Sequence, residues 1–137
     1  MKNKINLKLS DFPFHHELKT RWRDLDAFKH VNNATFLSYI EDARIIFFKR
    51  WGINFKEKSL IVAAVKIDYI NQLKHPSNII VGQEVSRVGS KSFDIRSAVF
   101  KNNIPICCST ITSVCYDFVN SKSVPVYNEI KSDYKIK

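Results

Sequence analysis

The chain has 137 residues, 45% of them hydrophobic, and its 22 Lys and Arg against 13 Asp and Glu give a net charge of +9. That length and balance describe one globular domain over residues 1–137 and exclude a disordered chain; no apolar run reaches the length of a membrane span. The charge admits polyanions and phosphorylated ligands without choosing among them, and it is mostly scattered, as on a solvated surface. The opening MKNKINLKLSDF has no apolar stretch and no small-residue cleavage site, so a cytoplasmic protein without a secretory signal is expected. Cys107, Cys108 and Cys115 lie in one strand-like segment with no CxxC pair, which predicts free buried thiols and argues against a disulfide framework or a zinc site.

In chain order, residues 15–23 (HHELKTRWR) alternate loosely and predict a first strand. DLDAFKHVNN follows, rich in Asp and Asn, whose side chains bond to nearby backbone and make turns. From Asn33 to about Arg50 the period becomes helical. Phe36, Ile40, Ala43 and Phe47 share one face, widened by Tyr39, Ile46 and Trp51, while Ser38, Glu41, Asp42 and Lys49 gather opposite. So wide an apolar arc predicts a mostly buried helix with a narrow wet strip. Asn32 or Asn33 suits its N-cap, and Gly52 suits its stop. Arg44 has two readings: a buried guanidinium paired with Glu41, or a surface arginine whose stem lies along the apolar face.

The remainder reads as strands over 60–71, 79–88, 92–101 and 104–118, with a Pro76–Ser77–Asn78 turn before the second and an Asn102–Asn103 hairpin turn before the last. Short turns make the last three antiparallel. Residues 124–133 read as a short final helix or a tail. One helix against a curved antiparallel sheet is an α+β layout. Several strands are apolar on both faces, which predicts that a second subunit covers what the helix does not.

The polar residues crowd the start of the helix. A helix N-terminus carries free amides and about half a unit of positive charge, so it stabilises an anion or charge growing on an oxygen. Asp26 and His30 stand just before it, with Asn32 and Asn33 at the cap. A carboxylate serves as general base or nucleophile, and a neutral histidine donates one hydrogen bond and accepts another. That set suits attack on a carbonyl carbon. The same residues have a plainer use: Asp24 and Asp26 closing Asx turns, His30 as a structural hydrogen-bonder, Asn32 as a cap. Spacing alone does not decide.

RWRDLDAFKHVNNATFLSYIEDAR, residues 21–44, resembles the signature of hot-dog-fold thioesterases. The branch is that of the bacterial long-chain acyl-CoA thioesterases, the 4-hydroxybenzoyl-CoA thioesterase type and the plant acyl-carrier-protein thioesterases. The D-x-D-x-x-x-H-V-N-N run, an aromatic residue and E-x-A-R carry the resemblance, and GSKSF at 89–93 extends it more weakly. It implies the α+β hot-dog fold, a long central helix wrapped by a curved antiparallel sheet, assembled as a homodimer or homotetramer. It implies hydrolysis of acyl-CoA thioesters to free acid and CoA. Coenzyme A is then part of the substrate, and neither a retained cofactor nor a metal is expected.

By that resemblance Asp26 matches the catalytic carboxylate, and His30 matches the assisting histidine of the plant-type branch. Asn32 and Asn33 shape the cap and donor pocket. Between Asp26 and His30, where the plant-type branch has an asparagine, this chain has Phe28, and Lys29 replaces the glycine often found before the histidine. Ser92 matches a region that reaches the neighbouring subunit's site or the cofactor, and Lys91 is expected to meet a coenzyme A phosphate. Phe36, Tyr39 and Ile40 are either an acyl slot or plain core. The alternatives are a non-catalytic acyl-CoA or nucleic-acid binding module on the same fold, and an enoyl-thioester hydratase. No nucleic-acid motif supports the former, so no nucleic acid is expected; the separate downstream Asp/His signature of the latter is missing.

Overall fold

The computed structural model describes residues 6–135. Residues 1–5, the start of the stretch read as lacking a secretory signal, and 136–137, the end of the expected single domain, lie outside the described residues. The helical period is realised as α1 (Asn33–Lys49), capped where Asn32 Oδ1 accepts from the Ala34 amide at 2.8 Å. Gly52, just past its end, takes φ 68, the left-handed conformation that stops a helix. Phe36, Tyr39, Ile40, Ala43, Arg44, Phe47 and Phe48 form its buried face. Ile46 does not widen that face as the helical period predicts. The buried arc turns the other way, through Arg44 to Phe48, and leaves Ile45 and Ile46 exposed.

Six strands form one antiparallel sheet: β1 (Phe14–Lys19), β2 (Ser59–Tyr69), β3 (Asn78–Val88), β4 (Ser92–Lys101), β5 (Ile104–Asp117) and β6 (Lys122–Ser123). The order is β1-β3-β4-β5-β2, with β6 on the end of β5, so β1 and β2 are the edges. Asn102 and Asn103 join β4 to β5 with φ of 49° and 65°, the paired positive values that a tight hairpin needs. A second helix, α2 (Asn128–Lys135), follows β6. It resolves the open reading of 124–133 in favour of a helix.

The sheet curls around α1, which gives the expected α+β hot-dog layout. Side chains alternate across each strand. On the inner face Val81, Val99, Cys107 and Ile111 pack under Phe36, Tyr39 and Ile40. Further along, Phe93 and Ile95 pack under Phe47 and Trp51, closed off by Ile130 of α2. Each fully buried ring or branched chain contributes roughly 1.5–3 kcal/mol by transfer. On the outer face, Leu7 and Phe12 cover Ala98, Phe100 and Cys108. The three cysteines are free and buried, as expected.

Candidate active site

β1 ends two residues before the predicted 15–23 strand reaches Arg21, because Thr20 pairs with the turn ahead of β3. Its amide donates to Ser77 O (3.0 Å), the Ser77 amide donates to its Oγ1 (2.9 Å), and Oγ1 meets His75 Nδ1 (2.8 Å). A 3-10 turn, Trp22–Asp24, follows. Asp24 is 3% exposed. Its carboxylate accepts from the Arg21 amide (2.8 Å), the Arg21 guanidinium (3.1 Å) and the Tyr39 hydroxyl (2.5 Å). Burial by itself pushes the Asp24 carboxyl up, but the Tyr39 and Arg21 bonds outweigh it and hold the group below its ordinary value. Burial and the Asp24 charge together push the Tyr39 hydroxyl up. The first aspartate of the D-x-D pair therefore fastens the loop to α1.

The second aspartate faces outward. Leu25 bridges Val31, the Asp26 amide donates to His30 O (2.8 Å), and the Lys29 amide donates to Asp26 O (3.1 Å). Asp26 Oδ1 accepts from the amides of Phe28 (2.8 Å) and His30 (3.3 Å). This is the Asx turn of the plainer reading: both bonds fall on Oδ1, and Oδ2 has no hydrogen-bond partner among the described residues. Lys29 has φ 65. That is the left-handed position, which explains the glycine often found there; a side chain costs roughly 1 kcal/mol.

Asp26, Phe28, His30, Asn32 and Asn33 line one cleft of about 640 Å³, with Phe36 at its base and Tyr69, Ile70, Asn71 and Gln72 as the facing wall. The wall is pinned by the Val31 amide donating to Leu73 O (2.8 Å), by a His30–Lys74 bridge and by the Tyr69 hydroxyl donating to Asn33 O (2.8 Å). In the first turn of α1, the Ala34 amide goes to Asn32 Oδ1 and the Thr35 amide to Asn32 O, which leaves the Asn33 amide without a partner among the described residues. Four of the six predicted site residues thus meet in one place.

Lys91 and Ser92 do not join them. Lys91 lies in the β3–β4 turn and Ser92 opens β4, where its Oγ accepts from the Arg87 guanidinium (3.0 Å). Ser92 is level with Val114 on β5, whereas Tyr69 is level with Cys107, seven residues away on that strand. The separation is roughly 23 Å. No motif marks the wall 69–72; the change from an apolar run to Y-I-N-Q is its only local sign. Of the three proposed slot residues, Phe36 lines the cleft, while Tyr39 and Ile40 are core.

Arg44 takes the buried reading at 7% exposed, with Glu41 at 3.5 Å and the Phe48 ring beneath it. Burial lowers its pKa and Glu41 partly restores it. A hollow of about 670 Å³ near Glu17, Lys19 and Asn102 is slightly larger than the Asp26 cleft but brings no carboxylate to a helix N-terminus.

Residues 20–133, which include the whole cleft, match the family model of the thioesterase-like superfamily. The chain is 30% identical to the uncharacterized protein YsmA of Bacillus subtilis over 88 residues, 63% of this chain and 60% of that protein's length. It is 24% identical to the acyl-CoA thioesterase YbgC of Haemophilus influenzae, over 90% of this chain and 96% of that one. It also superposes, with a TM-score of 0.81 and 29% identity, on a Thermus thermophilus thioesterase solved with coenzyme A and Zn, covering 90% of this chain and 98% of that one. By a family match that spans most of its length and its whole cleft, the chain belongs to the thioesterase-like superfamily.

Proposed function

We propose that this chain hydrolyses acyl-CoA thioesters, with Asp26 as the catalytic carboxylate. The observation that carries the reading is the half-engaged Asp26: Oδ1 is fixed by two backbone amides while Oδ2 is left to a cleft at the mouth of α1. A thioester carbonyl lies next to the Asn33 amide and the helix dipole. Oδ2 takes a proton from water, the water oxygen bonds to the carbonyl carbon, and negative charge grows on the carbonyl oxygen. One such donor is worth roughly 3 kcal/mol of barrier. The C–S bond then breaks, and the thiolate leaves as CoA once protonated. His30, on the same loop, orients water or donor. The YbgC and Thermus thermophilus relatives, by the substrate and ligand in their names, support a CoA thioester as the substrate.

A homodimer or homotetramer belongs to the same reading. Lys91 and Ser92, remote from their own chain's cleft, act in a neighbour's. The decisive assay releases free thiol from a panel of short, long and aromatic acyl-CoAs. Asp26→Asn is expected to lower kcat at least about 100-fold, as general-base loss does, with an unchanged melting curve. Wild-type-like turnover in that variant removes Asp26 from the role. An intermediate trapped on Asp26 by rapid quenching assigns it as nucleophile; its absence leaves it as base.

A further inference from the structure

At the end of the molecule where α1 begins, two large rings stand in solvent. Trp22 is 76% exposed and Phe28 80%, whereas the chain's other tryptophan, Trp51, is 1% exposed. Local contacts hold the two loops that carry them side by side. Trp22 stands edge-on to the His75 ring, with centroids 6.4 Å apart. Lys74, next to His75, bridges His30. Phe28 tips the Asp26–His30 turn, its amide donating to Asp26 Oδ1 at 2.8 Å. Ala27 and Pro76 are exposed on the same segments.

The charge on these segments is one-sided. Arg23, Lys29 and Lys74 are exposed and form no ion pair among the described residues. From residue 19 to 33 and from 69 to 80 the only acids are Asp24, buried on Arg21, and Asp26, which accepts two amides in the cleft. The opposite end of the chain also exposes rings, Phe55 and Phe118, but there Glu57, Asp117 and Glu129 stand among the lysines. Two rings offer roughly 150–250 Å² each, short of the about 800 Å² per partner that a stable protein interface needs. A second copy would also set cations against cations. Exposed rings among unpaired cations match a membrane surface instead: an indole settles at headgroup depth, and lysine and arginine meet anionic headgroups. Either signal alone holds a protein weakly, and the two together hold it firmly.

We infer that Trp22 and Phe28, with Arg23, Lys29 and Lys74, dock this end of the chain on an anionic lipid bilayer. The rings enter the boundary between headgroups and acyl chains, and the cations stay at the phosphates. Because Phe28 also lines the Asp26 cleft, the cleft then opens at the lipid surface. This goes beyond the hydrolytic reading and does not depend on it.

The test sediments the full chain with vesicles of phosphatidylcholine containing 30% phosphatidylserine, and with phosphatidylcholine vesicles alone. The chain is expected on the anionic vesicles, far less on the neutral ones, and to leave them as salt rises. Because Trp51 is buried, the fluorescence blue shift on binding reports Trp22, and Trp22→Phe removes it. Arg23→Gln/Lys74→Gln should weaken partition about 30-fold, at roughly tenfold per 1.4 kcal/mol and about 1 kcal/mol per cation. Trp22→Ala/Phe28→Ala should weaken it about tenfold or more, while Phe118→Ala, at the opposite end, leaves it unchanged. The docking surface is overturned by absent partition, by equal partition on neutral vesicles, by wild-type partition in Trp22→Ala/Phe28→Ala, or by an equal loss in Phe118→Ala. Displacement from the vesicles by a single-stranded oligonucleotide of matching charge also overturns it and makes the patch a polyanion site. Asp26→Asn should partition as the wild type does, so failure of hydrolysis and failure of docking are read separately.

Discussion

At Asp24 three donors converge on a buried carboxylate; at Asp26 two amides hold one oxygen and leave the other free. D-L-D marks both positions in the sequence but not their difference, because the Tyr39 hydroxyl that claims Asp24 comes from fifteen residues away on α1. Asp24→Asn keeps the shape and loses the charge, so it is expected to destabilise the fold by about 2 kcal/mol, the scale of a hydrogen bond to a charged group. Its folded pKa lies below the ordinary 3.8. The carboxylate's contribution is therefore complete above that value and is lost as pH falls below it toward the folded pKa. Urea melts at pH 7 and pH 3 should show wild type losing more stability on acidification than Asp24→Asn; parallel losses would clear Asp24 of the effect. Burial, with Cys108 adding to it, pushes the Cys107 thiol up to about 12. The native chain should therefore stay silent to a thiol reagent and leave the thioesterase assay without background.

Elements were legible where a period or a turn residue was long enough to read. The i, i+4, i+7, i+11 series Phe36, Ile40, Ala43 and Phe47 gave α1, and Asn102–Asn103 gave the β4–β5 hairpin. The early end of β1 depends on a partner far along the chain, Ser77, and the two-residue β6 is too short for a period to show before it turns back on the end of β5. The segment before β1 is a further case: nothing local marks Leu7–Phe12 as a strap over the outer face of the sheet. His15 Nε2 donates to carbonyls at both ends of its turn, Leu9 O (3.0 Å) and Phe12 O (2.8 Å). Phe12 lands on Gly82, where a Cβ would meet its ring atoms at 2.8 Å, and the Arg96 guanidinium lies over the ring at 4.9 Å. Gly82→Ala should thus cost about 1–3 kcal/mol by overpacking. Phe12→Ala should cost about 3–5 kcal/mol. The double variant should fall short of their sum by more than about 0.5 kcal/mol, since the clash vanishes with the ring. Strict additivity in chemical denaturation would show that the strap does not press on Gly82.

Across the whole molecule, the inner face of the sheet is filled and much of the outer face is strapped, but the β2 edge is left bare. Ile61, Val62, Val65 and Tyr69 are 38%, 45%, 47% and 41% exposed along a strand whose free edge has no neighbour among the described residues. Such an edge invites pairing unless it is charged or kinked. Here Lys66 is the one charge between Ile61 and Ile67. The apolar patterning that led to the dimer expectation includes this strand, and Lys91 and Ser92 lie some 23 Å along the sheet from the cleft of their own chain, so self-association is the property to measure. Sedimentation should therefore find the wild type as a dimer or larger. Val62→Asp/Val65→Asp sets two carboxylates on the edge and two more on the symmetry-related copy, a like-charge contact that a two-fold interface doubles. The variant should sediment as a monomer with an unchanged far-ultraviolet spectrum. If a neighbour completes the cleft, its thioesterase rate should fall. A monomeric wild type with full turnover would assign the bare edge no part in the site.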